Sequence, residues 1–536
     1  MKHNLRRRLV LLSAATALTA AVSAQEKRPL KLDPSAMTKL GDADPRYLSY
    51  NIEMVEVTGG RFWKPYGAAA AIDRTGATAN GSNQPGMSAD LFQYRPPIDL
   101  HNARLRKLAA ALGPSFVRVS GTWANSTFFQ DNDQAAATHP PDGYKAVLTR
   151  AEWKGVIDFA QVADAQIVTS VAISSGARNG QGIWTPGQAK ALFDFTRESG
   201  GFIAASEFMN EPNIPGPGSA PNGYGAAAYG RDAKLFEMFL RTESPKTTFL
   251  GPGSVGEGAS LMPSGGGMQL AMIKSEDLLK AAGPIYDAFS YHFYGAVSHR
   301  CGGKMTIDQA LSSDWLDRTD TVQEYYATLR DRYLPAKPMW LTETAEAACG
   351  GDPFAGQFAD VFRFLNQLGT LAQKGVKVVM HNTLAASDYG LLTSDTFEPR
   401  PNYWAAVLWR RTMGATVLAP EAPSNSTVRI YAQCSKLAAG GVTLLALNTS
   451  TNESSELSLP MPAARYTLTG EALSSTIVSL NGSPLQAAAD GSLPPMRPQD
   501  APAGTIRLAP ESITFLEIPA AHNRNCSRAG ELRGAH

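Results

Sequence analysis

Short apolar runs and amphipathic stretches take turns along the first three quarters of the chain. Tyr47–Met54, Ser115–Ser120, Gln166–Ile173, Phe202–Phe208, Thr247–Leu250, Ala288–Phe293, Lys337–Thr342 and Lys377–His381 are brief, apolar and bounded by polar turns. That is the pattern of buried strands. Asn102–Leu112, Arg150–Ala163, Pro186–Ser199, Arg231–Thr242, Ser275–Ala282, Asp320–Arg332 and Gly356–Lys374 read as the helices between them. Eight strands alternating with helices predict an α/β fold, a (β/α)8 barrel over residues 47–417. Past residue 418 the texture changes. Thr427–Ala432, Val442–Leu447, Glu456–Leu459, Tyr466–Thr469, Thr476–Leu480, Thr505–Leu508 and Ile513–Ile518 are β-rich and closely separated by Gly, Pro, Asn and Ser. This predicts an all-β sandwich over 418–519, with a polar lead at 25–46 and a loose tail at 520–536.

The extreme N-terminus has a different character. Lys2 and Arg6-Arg7-Arg8 precede the small, apolar stretch Leu9–Val22, and Val22-Ser23-Ala24 offers a cleavage site before Gln25. Residues 1–24 are therefore expected to be a cleaved export signal. The run is shorter than the about 20 residues that span a bilayer. A periplasmic or secreted protein is expected, with no membrane attachment once the signal is removed. The 49 basic and 48 acidic residues leave a net charge of +1, which provides no field for gripping nucleic acid. Export permits disulfides. Four cysteines, Cys301, Cys349, Cys434 and Cys526, allow three connectivities. None has the Cys-x-x-Cys spacing of a zinc site, and nothing in the sequence calls for a metal or organic cofactor.

Two glutamates fall where barrel enzymes build their sites, at the C-terminal ends of strands. Asn210-Glu211-Pro212 follows the fourth run, and Glu343 follows the seventh in Trp340-Leu-Thr-Glu-Thr344. Two such carboxyl groups are the minimal equipment for hydrolysing a glycosidic bond. One must be held protonated, as acid and then base. The other must be ionised, to attack the anomeric carbon.

The chain resembles glycoside hydrolase family 79, the heparanases and β-glucuronidases. The likeness runs through Ser120-Gly-Thr122, Asn210-Glu-Pro-Asn213, Trp340-Leu-Thr-Glu-Thr344, Gly350-Gly351, Gly375–Met380, Asp388-Tyr389 and Pro401-Asn-Tyr-Trp404 to Leu418. It implies Glu211 as acid/base, Glu343 as nucleophile, and Asn210 as a partner of the sugar 2-hydroxyl. It implies that Tyr294 hydrogen-bonds the nucleophile. The amides of Gly350 and Gly351 and the Tyr389 hydroxyl would hold the carboxylate of a uronic acid. Glycine permits that close approach, and converging amides form an anion nest. Glu53 stands where heparanases carry an aspartate contacting sugar hydroxyls, and Thr122 would line the same pocket. His292 reads equally as a donor behind the site or as a core histidine. The ordinary alternatives are a rim aromatic for Tyr294 and a plain turn for Gly350-Gly351.

Two departures shape the expectation. Cys349 replaces a heparanase tyrosine, and its loop and that of Cys301 should share the active-site face. A Cys301–Cys349 disulfide bracing the pocket is predicted, and the family's pairing implies a second, Cys434–Cys526. Basic residues near the expected cleft, such as Lys64, Arg104-Leu-Arg-Lys107 and His299-Arg300, are scattered in the manner of a solvated face. An exo-acting, retaining β-glucuronidase acting on a glucuronic-acid-containing saccharide or glucuronide is therefore favoured. The alternatives are an endo-acting, heparanase-like enzyme and a non-catalytic exported carbohydrate-binding protein. Both glutamates being present argues against the last. Asn125, Asn448 and Asn452 lie in Asn-x-Ser/Thr sequons.

Overall fold

The computed structural model describes residues 29–67, 89–258, 272–421 and 427–526. The expected signal, the first residues of the lead and the end of the tail lie outside them. Among the described residues no helix is long and apolar enough to cross a membrane.

Eight parallel strands close a barrel in chain order: β1 (Leu48–Glu53), β2 (Ser115–Ser120), β3 (Ala165–Thr169), β4 (Ile203–Glu207), β5 (Thr248–Ser254), β6 (Ala288–Val297), β7 (Met339–Ala348) and β8 (Val378–His381). β8 returns to β1 through Val379↔Leu48 and His381↔Tyr50. Each strand has one face against the surrounding helices and one in the barrel, so even polar residues of β1 and β2 are buried. Phe116, Val168, Ala205, Leu250, Ala288, Trp340, Val378 and Met380 form one apolar cluster inside the barrel. Two residues further along, the same faces present Arg118, Glu207, Ser290 and Thr342. Period-two alternation thus stacks a polar layer on the apolar plug.

The sixth and seventh strands are longer than their apolar runs suggest. β6 continues to Val297 and β7 to Ala348, pairing as far as Val297↔Ala348, so Tyr294 and Glu343 lie within strands rather than beyond them. The register shifts from Tyr291↔Leu341 to His292↔Glu343, which inserts Thr342 as an extra residue in β7. Strict alternation from the inward-facing Thr342 would turn Glu343 outward. The bulge restores it to the pocket.

A nine-stranded, largely antiparallel sheet and a three-stranded sheet share the second core, in which Leu444, Leu457, Ile506 and Leu516 meet. After the barrel the chain enters the larger sheet at Met413–Leu418, a few residues before position 418. The segment read as a polar lead is stitched into this region. Leu30–Lys31 pairs with Ser455–Leu459, Lys39–Asp42 pairs with Met413–Leu418, and Leu32 and Met37 enter the core. Helix Phe358–Gln373 is buried on almost every side because it lies between barrel and sheet. Its Gly369 lies against the Tyr431 ring, where a Cβ would come within 2.2 Å of Cγ. Tyr431 Oη donates to Asn366 Oδ1 of that helix at 2.6 Å.

Candidate active site

The charged layer centres on Arg118, whose side chain is 1% exposed. Its guanidinium donates to Glu207 Oε2 at 3.1 and 2.9 Å, to Glu343 Oε2 at 2.8 Å and to Asn210 Oδ1 at 2.8 Å. Glu207 also accepts from Ser290 and Thr342, each at 2.8 Å. Burial acts against a charged Glu207, but Arg118 and His292 more than offset it and hold that carboxyl far below the usual range. Arg118 and Glu207 were absent from the sequence reading. Their only signal was a charge inside a short, mostly apolar run, Arg118 in Phe116-Val-Arg-Val119 and Glu207 in Phe202–Phe208.

The two expected catalytic carboxyl groups meet over this layer. Glu211 follows β4 with φ +49°, and its Oε1 lies 3.1 Å from His292 Nδ1. Glu343 accepts from Tyr294 Oη at 2.7 Å and from Arg118. One ligand atom from each of Glu211, His292 and Glu343 lies within 4.8 Å of the others. That spacing is geometrically able to hold a cation, but Arg118 already places a positive charge against Glu343. It also brings one oxygen of each carboxyl group within 4.8 Å of the other, nearer the about 5–5.5 Å of retaining glycosidases than the wider gap of inverting ones.

The environment splits the two carboxyl groups. Burial and the Glu343 charge raise Glu211, and His292 opposes them only in part. Burial would raise Glu343 too, but His292, Arg118 and Tyr294 hold it below the ordinary range. Burial alone would keep His292 neutral, yet the surrounding glutamates raise it to about 9. Arg118 Nη2 lies 3.3 Å from His292 Nε2, a hydrogen bond only for the neutral ring, whereas Glu207 Oε1 at 3.8 Å faces the same nitrogen of the charged ring. Three flanking carboxyl groups favour the charged form. With Nδ1 as donor in either form, the acid proton of Glu211 belongs on Oε2. Two cations, Arg118 and His292, then face two anions, Glu207 and Glu343, and Glu211 is the carboxyl whose proton burial and the Glu343 charge favour keeping.

The remaining expected residues surround this centre. Arg118 fixes the Asn210 amide through Oδ1, which turns Nδ2 toward Thr122 Oγ1, 3.5 Å away. Asn125 clamps the Asn210 backbone from both sides, donating to its carbonyl at 3.0 Å and accepting its N–H at 2.9 Å. Asn125 is fully buried and so is no glycan acceptor, and Asn448 is likewise buried. Asn382, absent from the sequence reading, brings its Nδ2 to 3.0 Å from Glu53 Oε1, 3.0 Å from Tyr294 Oη and 3.2 Å from Tyr389 Oη. Gly121, φ +87°, is needed beside Glu53, because a Cβ there would sit 1.5 Å from Glu53 Oε2. Burial and the nearby Glu343 push Glu53 well above its ordinary pKa.

Gly350 and Gly351 form a turn with φ +82° and +85° after Cys349 at +64°. Trp63 packs on Gly350, and Tyr389 packs on Gly351. The Gly351 N–H already donates to Ala347 O at 3.1 Å, so of the expected amide pair Gly350 is the one left to face a ligand. Both expected disulfides are present, Cys301–Cys349 and Cys434–Cys526. Arg300, expected on a solvated face, is instead 6% exposed and paired with Asp388.

No protein-family model matches the chain. It is 29% identical to murine heparanase over 361 residues, 64% of this chain and 64% of that protein. It is 31% identical to baicalin-β-D-glucuronidase of Scutellaria baicalensis over 241 residues, 43% of this chain and 45% of that protein. The chain thus spans less than two thirds of the length of these two relatives. Among solved structures, a 4-O-α-L-rhamnosyl-β-D-glucuronidase from Fusarium oxysporum superposes with a TM-score of 0.61 at 12% identity, covering 91% of this chain and all of that one, a likeness of fold. These sequence likenesses accompany a barrel with paired glutamates at its mouth. In sequence the chain is thus similar to heparanases and to a β-glucuronidase.

Proposed function

We propose that the protein is a retaining exo-β-glucuronidase. The observation that carries this reading is the close pair Glu211 and Glu343, with one carboxyl raised and the other lowered by the same buried network. Ionised Glu343 attacks C1 of the sugar. As the bond to the aglycone breaks, Glu211 gives its proton to the departing oxygen. Asn210 Nδ2, oriented by Arg118, meets the 2-hydroxyl as positive charge develops at the ring. Tyr294 holds the attacking carboxylate in line.

The covalent step also resets the acid. Esterified Glu343 has no charge, so one cause of the raised Glu211 pKa disappears while His292 and Arg118 remain. Glu211 then ionises readily, takes a proton from water, and the resulting hydroxide equivalent displaces Glu343 from C1. Glu53, held by Asn382, is placed for the sugar hydroxyls, and the Gly350 amide with Tyr389 for the uronate.

Exo action is favoured by the fate of the cations. Arg300 pairs with Asp388, Arg104 with Glu398 at 2.8 Å, and Lys107 with Asp490 at 2.8 Å. Cations so engaged form no open track for a sulfated chain. The export signal and the absence of a cofactor requirement belong to the same reading. The test is hydrolysis of nitrophenyl β-D-glucuronide against the matching β-D-glucoside. Strong preference for the glucuronide, lost in Glu211→Gln and Glu343→Gln, supports it. Preference for the glucoside removes the uronate pocket, and oligosaccharides released from intact heparan sulfate replace exo with endo action.

A further inference from the structure

Arg300 is the least expected feature of the rim. All its donor groups are engaged. Nε and Nη2 reach Lys64 O at 3.1 and 2.8 Å, Nη2 also meets Asp388, and Nη1 reaches Cys349 O at 3.3 Å and Gly351 O at 2.8 Å. The Tyr66 ring covers the guanidinium at 3.7 Å. Two of these acceptors flank Gly350.

The planar trans peptide gives this arrangement a consequence. A carbonyl and the N–H that follows it lie in one peptide plane and point in opposite directions across the C–N bond. Arg300 and Ser298, whose Oγ donates to the same Cys349 O at 3.1 Å, therefore fix the direction of the Gly350 N–H. The neighbouring amides are directed elsewhere, Gly351 N–H to Ala347 O and Asp352 N–H to Glu346 Oε2 at 2.9 Å. Gly350 follows a residue with positive φ and has positive φ itself, and with no side chain of its own to anchor it the peptide's direction is left to the partners of its backbone carbonyls.

We propose that Arg300 is a positioning residue for uronate selectivity, holding the Gly350 amide through the Cys349 and Gly351 carbonyls rather than pairing directly with the sugar carboxylate. This rests on the glucuronidase reading. Asp388 balances the guanidinium charge, so the fork of donors, more than the charge, is what the turn requires.

The experiment compares wild type, Arg300→Lys and Arg300→Met on nitrophenyl β-D-glucuronide and the β-D-glucoside. Lysine keeps the charge but cannot hold both carbonyls in the guanidinium's geometry. Both variants are expected to raise KM for the glucuronide about tenfold or more, with kcat changed less than about threefold, and to lower the glucuronide-to-glucoside ratio. A lysine variant with wild-type KM and ratio overturns the proposal, as does an equal loss of kcat on both substrates. If the arginine variants do not fold, Ser298→Ala decides. It removes one donor from the same carbonyl and is expected to raise KM about threefold with unchanged kcat, and no change overturns the inference. Wild-type enzyme without glucuronide preference instead sinks the underlying reading.

Discussion

The floor of the pocket and the Gly350 rim are held in place by opposite means. On the floor, Arg118, Glu207, His292, Glu211 and Glu343 are buried ionisable groups, all but Glu211 borne by barrel strands, and they neutralise one another. At the rim, Cys349-Gly350-Gly351 is loop backbone, held by a disulfide and by Arg300. Strand-borne charges suit the chemistry, because their positions are fixed by the barrel hydrogen bonds and their pKa values by one another. Loop-borne amides suit recognition, because a neutral donor attracts a carboxylate without upsetting that charge balance. The difference teaches that damage to the floor should reach rate, pH profile and folding, whereas damage to the rim should reach KM and selectivity.

The largest expected effect is on the floor. Glu343→Ala should lower kcat at least about a thousandfold. Azide should restore turnover and yield the α-glucuronosyl azide, whereas Glu211→Ala with azide should yield the β product. The opposite stereochemistry would exchange the two assigned roles.

Next comes Arg118→Met, which removes one of the two cations that hold the buried Glu207 and Glu343. A loss of about 3–5 kcal/mol is expected, read as a lower denaturant midpoint. An unchanged midpoint would mean that the charge layer does not hold the barrel floor.

The pH profile follows. Activity should fall at low pH as Glu343 gains a proton, at a pH below the usual carboxylate range. It should fall at high pH as Glu211 loses its proton, at a pH above that range. His292 lowers both groups, so His292→Gln should move both limbs of kcat/KM upward in pH. Limbs that stay in place would show that His292 carries no charge in the working enzyme.

The smallest effect sharpens the rim. Cys301→Ser with Cys349→Ser should raise KM for the glucuronide a few-fold, on the order of 1 kcal/mol or less, with kcat preserved. Cys434→Ser with Cys526→Ser should instead lower stability by about 2–5 kcal/mol and leave KM alone. Equal KM effects from both pairs would remove the special role of the rim bridge.

Much of the architecture was legible in advance because local pattern and global fold agree. Each of the eight runs overlaps one barrel strand, and Glu211 falls just past β4, because buried parallel strands leave continuous apolar signatures. Glu343 was identified as a residue, but its orientation was not legible. The Thr342 bulge turns it inward, and a bulge arises from pairing with β6, which no single run of sequence describes. The N-terminal lead looked like a polar approach to the barrel. Its exposed residues hide two apolar anchors, Leu32 and Met37, which have meaning only once the sandwich exists to receive them.

By itself, then, the sequence determined the barrel, the sheet-rich region after it, the two glutamates and the four cysteines, since each leaves a mark in residue type and spacing. Only the tertiary structure decided that Arg118, Glu207, Asn125 and Asn382 belong to the site, and that Arg300 lies beneath the Gly350 turn rather than in solvent. These residues act through partners far away in the chain. Arg118 and Glu343 are 225 positions apart, and Arg300 and Asp388 are 88 apart. The physical reason is that an ionisable group's protonation is fixed by the charges, donors and buried surface around it, and closure of the barrel is what brings them together.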